Sequence, residues 1–204
     1  DMLTRLIDAA EATPAAGIVT PKIYYYDEPE RIWCAGASID WHNGGSRRLQ
    51  AEEIDSKQEL EPYFVDFASG CAICLKRAVI EKIGVLDARF FIYYEETDWC
   101  VRASNAGWPT LYVPTAHVWH KVSAAMGTTS PATDYYMNRN VLLFLAKNQQ
   151  GWRRWFSLAR VSIRELVTIL AYTLRSHQGK RTSNRNVRLL AFRDAFLGRW
   201  GKMG

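Results

Sequence analysis

Phe90-Phe91-Ile92-Tyr93-Tyr94-Glu95-Glu96-Thr97-Asp98-Trp99-Cys100-Val101-Arg102 is the stretch on which the reading of this chain turns. The aromatic run predicts an approach to a helix that starts at Glu95 and ends near Asn105, with Gly107 and Pro109 to stop it. Three carboxylates open that helix. A helix N-terminus carries a partial positive charge of roughly +0.5, which favours ionised carboxylates there, while their mutual repulsion works the other way. Spacing separates their roles. Glu95 and Asp98 share a face. Asp98 and Arg102 are four apart and can pair, which gives Asp98 a structural task. Glu96 lies about 100° around from Glu95 and is the one that can face a cleft. The residues alone leave two readings open: a charge cluster on a helix end, or an acid that does chemistry.

Working outward toward the N-terminus, Arg77–Ile83 reads as a short helix closed by Gly84. Tyr63–Leu75 reads as a strand containing Ser69-Gly70, and the acidic residues 51–62 as a loop. Arg31–Asp40 is strand-like, and His42-Asn43-Gly44-Gly45 follows it as a hairpin turn. Gly17–Tyr26 is a further strand. Met2–Ala12 is a helix with Asp1 at its cap and Leu3, Leu6, Ile7 and Ala10 on one face. In the other direction, Thr110–Lys121 predicts one or two strands. Ser123–Thr133 is a small, polar, lid-like segment. Helices are expected at about Asp134–Asn148, Trp152–Arg175 and Asn186–Trp200, with breaks at Gly151 and Ser176–Asn184. The fold class is α/β with an all-helical second part.

A length of 204 residues suits one domain, or one with an appendage. Apolar residues make up 48%, enough for a core. The eight Trp and ten Tyr suit carbohydrate clefts, cores and membrane interfaces alike. Charge is informative once divided. Residues 1–138 carry a net −7, whereas residues 139–204 carry +12 with only Glu165 and Asp194 as acids. Such a tail suits an anionic partner, nucleic acid or acidic lipid, and no nucleic-acid motif accompanies it. Cys34, Cys71, Cys74 and Cys100 are too few for a disulfide scaffold and read as reduced thiols of a cytosolic protein. The polar opening Asp1–Asp8 is not a signal peptide. The longest uncharged run of the tail, Leu166–Leu174, falls far short of the roughly 20 residues that span a bilayer.

Several stretches together resemble one enzyme family. They are Gly70-Cys71-Ala72-Ile73-Cys74-Leu75-Lys76-Arg77, Gly84-Val85-Leu86-Asp87 through Arg102, Ala106-Gly107-Trp108, Tyr112-Val113-Pro114, Ala116-His117-Val118-Trp119-His120 and Tyr135-Tyr136-Met137-Asn138-Arg139-Asn140. Over about residues 1–148 they are similar to inverting family 2 glycosyltransferases. The nearest subgroup is that of rhamnosyl- and galactofuranosyltransferases, which build bacterial surface polysaccharides. The resemblance implies the C-terminal, acceptor-side half of a GT-A-type fold over 1–148, followed by a basic amphipathic helical tail over 149–204.

It implies that Glu96, second of the acid pair, is the catalytic base, at a position where the family more often has Asp. Glu95, Asp98 and Arg102 are supporting or alternative groups. His120 falls at the family's Trp-His position and would help hold a divalent cation, Mg²⁺ or Mn²⁺. Tyr94, Trp119 and Gly70 would line the acceptor site. The partners implied are a nucleotide-sugar donor and a glycan or lipid-linked acceptor, at the inner face of a bacterial-type plasma membrane. The donor half and its Asp-x-Asp metal motif precede this region in the family, and Asp1-Met2-Leu3 resembles the residues just after that motif. The expectation is a fragment without turnover of its own, whose bare apolar sheet face a second copy could cover as a homodimer.

Two further patterns compete. Cys71-x-x-Cys74 with His117-x-x-His120 has spacings zinc permits, and would make the chain a non-catalytic interaction module. Against it, residues three apart on a strand point to opposite faces. Trp155, Ala159, Ile163, Leu166, Leu170 and Leu174 form an apolar stripe flanked by Arg153, Arg154, Arg160, Arg164 and Arg175. That pattern suits either a helix on an anionic membrane surface or packing against the rest of the chain.

Overall fold

A computed structural model describes residues 1–56, 61–122, 130–174 and 179–203, with backbone alone at 179–182. The lid-like segment expected from Ser123 lies mostly outside these residues. The chain divides into two compact units. The first is Asp1–Ile39, Ser46–Leu86 and Glu96–Val122; the second is Asp40–Gly45, Asp87–Glu95 and the described part of Ser123–Gly204.

In the first unit, α1 (Met2–Ala12) begins where expected, with the Asp1 carboxylate accepting from the Leu3 amide at 3.2 Å. Strand β1 (Ile18–Tyr25) is the centre of a mixed sheet and is buried almost throughout. It pairs in parallel with β7 (Thr110–His120), and antiparallel with β2 (Ile32–Cys34) and β6 (Cys74–Leu75); β5 (Tyr63–Val65) flanks β7. A strand covered on both faces needs a mainly apolar run; Ile18–Tyr25 supplies one except at Thr20, which donates to the Ala72 carbonyl, and Lys22, which is paired with Asp55. Leu6 of α1 packs on Val19, Leu111, Val113 and Ala116. Helices α2 (Arg77–Ile83) and α3 (Glu95–Asn105) bring Val79, Cys100 and Ala103 against Ile18, Phe67 and Ala68.

Two long strands expected from the sequence are each broken. Arg31–Asp40 becomes β2 and β3 (Ala37–Asp40) because Gly36 turns the chain at φ +78°, and a Cβ there would lie 2.7 Å from Val65 Cγ1. β3 then pairs with β4 (Gly45–Arg48) across the expected hairpin turn. Tyr63–Leu75 becomes β5 and β6. Asp66 takes the Ile39 amide at 2.7 Å and Phe67 bridges Ala37, so the chain leaves the sheet there.

β7 carries the main irregularity. Pro21 lies opposite Val113, yet the next residue, Lys22, lies opposite His117, so Pro114–Ala116 bulge out of register. Neither Pro21 nor Pro114 has an amide hydrogen for the ladder. The His117 ring closes the bulge, with Nε2 3.0 Å from the Pro114 carbonyl oxygen.

The second unit is built on α4 (Pro131–Asn148), α5 (Gly151–Leu174) and α6 (Gly179–Phe196). α4 therefore groups with the tail helices, whereas the resemblance implies a boundary at 148. α6 also starts before, and ends before, the Asn186–Trp200 expected. Polar residues 182–184 are weak helix formers, but burial of Ala191 against Tyr135 and Tyr136, and the Tyr135 hydroxyl donated to Asp194 at 2.8 Å, anchor the helix beyond them.

Candidate active site

Within the first unit, Glu96 stands on the first turn of α3 against Gly70. A Cβ added to Gly70 would sit 3.6 Å from Cβ, Cγ and Cδ of Glu96. Two motifs far apart in sequence thus meet side chain to backbone. Two positions further along α3, Asp98 is fully buried and receives Arg102 Nε at 2.8 Å. The Arg102 guanidinium also donates to the carbonyls of Ile83, at 2.5 Å, and Val85, at 2.9 Å. This pair locks α3 to the end of α2, and Trp99 Nε1 adds a bond to the Gly84 carbonyl at 2.9 Å. Asp98 and Arg102 hold the helix that presents Glu96.

Cys71 follows Gly70 and is exposed at the surface. Burial pushes Cys34 up to about 12 and Cys100 up to about 11, so neither is a nucleophile at neutral pH. The Arg48 guanidinium offsets part of the Cys34 shift, and Cys71 adds slightly to it. Arg48 lies over the Trp33 ring at 4.7 Å, and Trp33 meets the His120 ring edge at 5.0 Å. Arg48, Trp33 and His120 therefore follow one another through ring contacts. Sequence reading missed Trp33 and Arg48, because no motif marks them. The only signal was the alternation of Trp33 with buried neighbours and a basic pair, Arg47-Arg48, after the hairpin.

Burial lowers the pKa of His120 below the ordinary histidine value, so its ring is neutral at pH 7 and keeps a nitrogen lone pair. Its neighbour Trp119 is placed elsewhere. Lys22, Tyr24, His117 and Trp119 line an open cavity of about 440 Å³ together with Arg5 and Asp55. Ile23 and Tyr25 alternate with Lys22 and Tyr24, and pair with Val118 and His120. Alternation thus sets Trp119 and His117 on one face and His120 on the other. Trp119 stacks on Tyr24 at 5.6 Å, above a buried Lys22–Asp55 ion pair of 3.0 Å.

The candidate zinc ligands are also apart, though not by strand alternation, since Cys71 lies in a turn ahead of β6. Cys74 packs on the α1 side with Val19, whereas Cys71 Sγ is 3.5 Å from Ser69 Oγ. Among the described residues no group of three or more His, Cys, Asp or Glu side chains converges to hold a metal ion.

The loop before α3 belongs to the second unit and has an unusual backbone. Phe91, Tyr93 and Tyr94 have φ of 65°, 65° and 72°, each strained for a non-glycine residue. Arg139 and Asn140 of α4 hold it there. Asn140 Nδ2 lies 2.9, 2.8 and 2.9 Å from the carbonyl oxygens of Phe90, Ile92 and Tyr93. The buried Arg139 guanidinium donates to the carbonyls of Arg89, Phe90 and Gly201 and lies over the rings of Tyr135 and Tyr136. Tyr94 is buried and gives its hydroxyl hydrogen to the Gly44 carbonyl at 3.0 Å, a packing contact.

Glu95 ends this loop. Its Oε2 is buried without a hydrogen-bond partner among the described residues, and burial raises its carboxyl above the ordinary glutamate value. An acid raised in the folded state costs stability as pH climbs from its unfolded value, about 4.3, through the folded one; that cost is complete well above both. Glu95→Gln is therefore expected to raise the apparent Tm at pH 7 by a few degrees and to match the parent below about pH 4. Equal Tm values at pH 7 would show that the carboxylate is solvated after all.

No family model matches the chain. Among curated proteins, it is 27% identical over 136 residues to the N-acetylglucosaminyl-diphospho-decaprenol L-rhamnosyltransferase of Mycobacterium tuberculosis, in two strains. That match covers 66% of this chain and 44% of the relative. The dTDP-rhamnosyl transferase RfbF of Shigella flexneri is 27% identical over 130 residues, 60% of this chain and 42% of its own length. The chain spans less than half the length of these relatives. Across roughly two thirds of its residues, this mixed α/β chain is a relative of bacterial rhamnosyltransferases.

Proposed function

We propose that the chain is the acceptor-side part of an inverting, GT-A-type glycosyltransferase of family 2, which moves rhamnose from a nucleotide-sugar donor to a lipid-linked glycan. The observation that carries this reading is the contact of Glu96 with Gly70, which brings two separate motifs of the resemblance to one place. The relatives' names, which give a dTDP-rhamnosyl donor and a prenyl-diphosphate acceptor for those proteins, support the choice of sugar and acceptor.

In this reading an acceptor hydroxyl lies against Glu96. Its oxygen attacks the anomeric carbon, its proton passes to a Glu96 carboxylate oxygen, and the bond from that carbon to the diphosphate oxygen breaks with inversion. Proton removal of this kind contributes about 10²–10⁴-fold. The Asp98–Arg102 pair keeps α3 in place, and the exposed backbone at Gly70 leaves room for the acceptor. A divalent cation, if used, needs carboxylates beyond these. His120 offers one neutral nitrogen, the chain contains no Asp-x-Asp, and the described residues make no cage. The chain by itself is expected to lack turnover.

The test is transfer by the intact natural protein, with a prenyl-diphosphate-linked N-acetylglucosamine acceptor and a panel of nucleotide sugars. The expected result is product with dTDP-rhamnose, at least tenfold above other donors. Transfer of another sugar corrects the donor. Failure of every nucleotide sugar overturns the enzyme reading in favour of an interaction module.

A further inference from the structure

Helix α5 has two apolar sides with different fates. Ser157, Val161, Glu165 and Ile169 recur every four residues and are buried; Glu165 is held there by Arg188 at 2.5 Å and Arg164 at 3.2 Å. On the opposite side Trp152, Trp155, Ile163, Leu166, Leu170 and Leu174 are 50–76% exposed. At 3.6 residues per turn these six fall within a strip about 100° wide and about 33 Å long. A single exposed leucine carries no message, but an unbroken strip of this length does. Arg153 and Arg160 are exposed along one border of the strip, with Arg164 just beyond. The helix's single acid, Glu165, sits on the buried side, so the charges along that border are all positive.

We infer that the outer side of α5 is a membrane-docking surface, lying in the plane of an anionic bilayer. The strip seats among the upper acyl chains, Trp152 and Trp155 lie at the interface, and Arg153 and Arg160 meet lipid phosphates. Charge selects this occupant. Residues 139–204 carry a net +12, which an anionic surface attracts and a second copy of the same surface repels. No described helix is long and apolar enough to cross a membrane, which fits a helix that lies on the bilayer. The inference rests on α5 and on the charge of residues 139–204, and is independent of the transfer chemistry.

The intact natural protein is sedimented with vesicles of phosphatidylcholine, alone or mixed with phosphatidylglycerol. Binding to the mixed vesicles is expected to be at least tenfold tighter, to weaken with salt and to shift tryptophan emission to shorter wavelength. Leu166→Gln with Leu170→Gln should lower binding at least tenfold without changing the circular dichroism or Tm, because both side chains are exposed. Arg153→Gln with Arg160→Gln should remove most of the preference for phosphatidylglycerol and keep the residual apolar binding. Binding by the leucine variant equal to the parent overturns the proposal, as does no binding to mixed vesicles. A dimer abolished by the leucine substitutions, with no vesicle binding, would assign the strip to a second copy instead.

Discussion

Glu96→Gln is expected to reduce kcat for sugar transfer by about 10²–10⁴-fold, measured in the intact natural protein with donor and acceptor saturating. Gln keeps the shape of Glu and the packing against Gly70, so donor binding and Tm should hardly change. What it loses is the carboxylate that receives the acceptor proton. Glu95→Gln is the matched control. It removes a neighbouring carboxylate that burial already biases toward the protonated form, and should leave kcat within a fewfold. The pH profiles add a second readout: the acidic limb of kcat should disappear in Glu96→Gln and persist in Glu95→Gln. A Glu96→Gln enzyme as fast as the parent would remove Glu96 from the chemistry. If Glu95→Gln were the slow one, the base would move to Glu95.

The second large effect is on stability. Asn140→Ala should destabilise the protein by roughly 2–4 kcal/mol, and Arg139→Ala by roughly 3–5 kcal/mol. Both side chains are essentially fully buried. Removing either strands carbonyls of the 89–93 loop, and three left-handed residues, each strained by about 1–3 kcal/mol, lose the contacts that hold them. Guanidinium chloride unfolding measures the difference. A loss below about 1 kcal/mol in both variants would mean that the loop is held by something else. Arg139→Lys separates charge from geometry, since a lysine can keep the charge but cannot reach three carbonyls from one planar group; it should behave much like the alanine variant.

How far these elements can be read from sequence depends on whether their causes are local. α1, α2 and α3 have their bounds where cap, stop and apolar period place them, because Asp1, Gly84 and Gly107 act within a turn of the helix ends. The two long strands failed for a non-local reason. Nothing near Gly36 announces that Val65 will close against it, or that Asp66 will take the Ile39 amide. α6 is held by Tyr135, more than forty residues upstream of Asn186, so the break expected over Ser176–Asn184 mistook the start of the helix, from Gly179, for loop. At the site, the Asp98–Arg102 pair follows from helical spacing and is present. The approach of Gly70 to Glu96 follows from no spacing; only the joint occurrence of the two motifs hinted at it. Trp33 and Arg48 carried no hint because they come from a strand and a hairpin whose neighbours are set by the sheet. Tyr135 through Asn140 was legible as a motif but not as a clamp on the 89–93 loop, since that clamp depends on where the carbonyls of a strained loop point.

The bulge at Pro114–Ala116 has a consequence of parity. Before it, odd-numbered residues of β7 lie opposite odd-numbered residues of β1; after it, odd lie opposite even. Three extra residues therefore act as a phase shift in a two-letter code of up and down, and His120 takes its face from that shift. The code tolerates change only in steps of two. A lineage that lost two of the three residues would keep His120 on its present side, whereas one that lost a single residue would swap the surfaces reached by Trp119 and His120 in one event. Lengths of this segment among related chains should then differ by even numbers wherever His120 keeps its side.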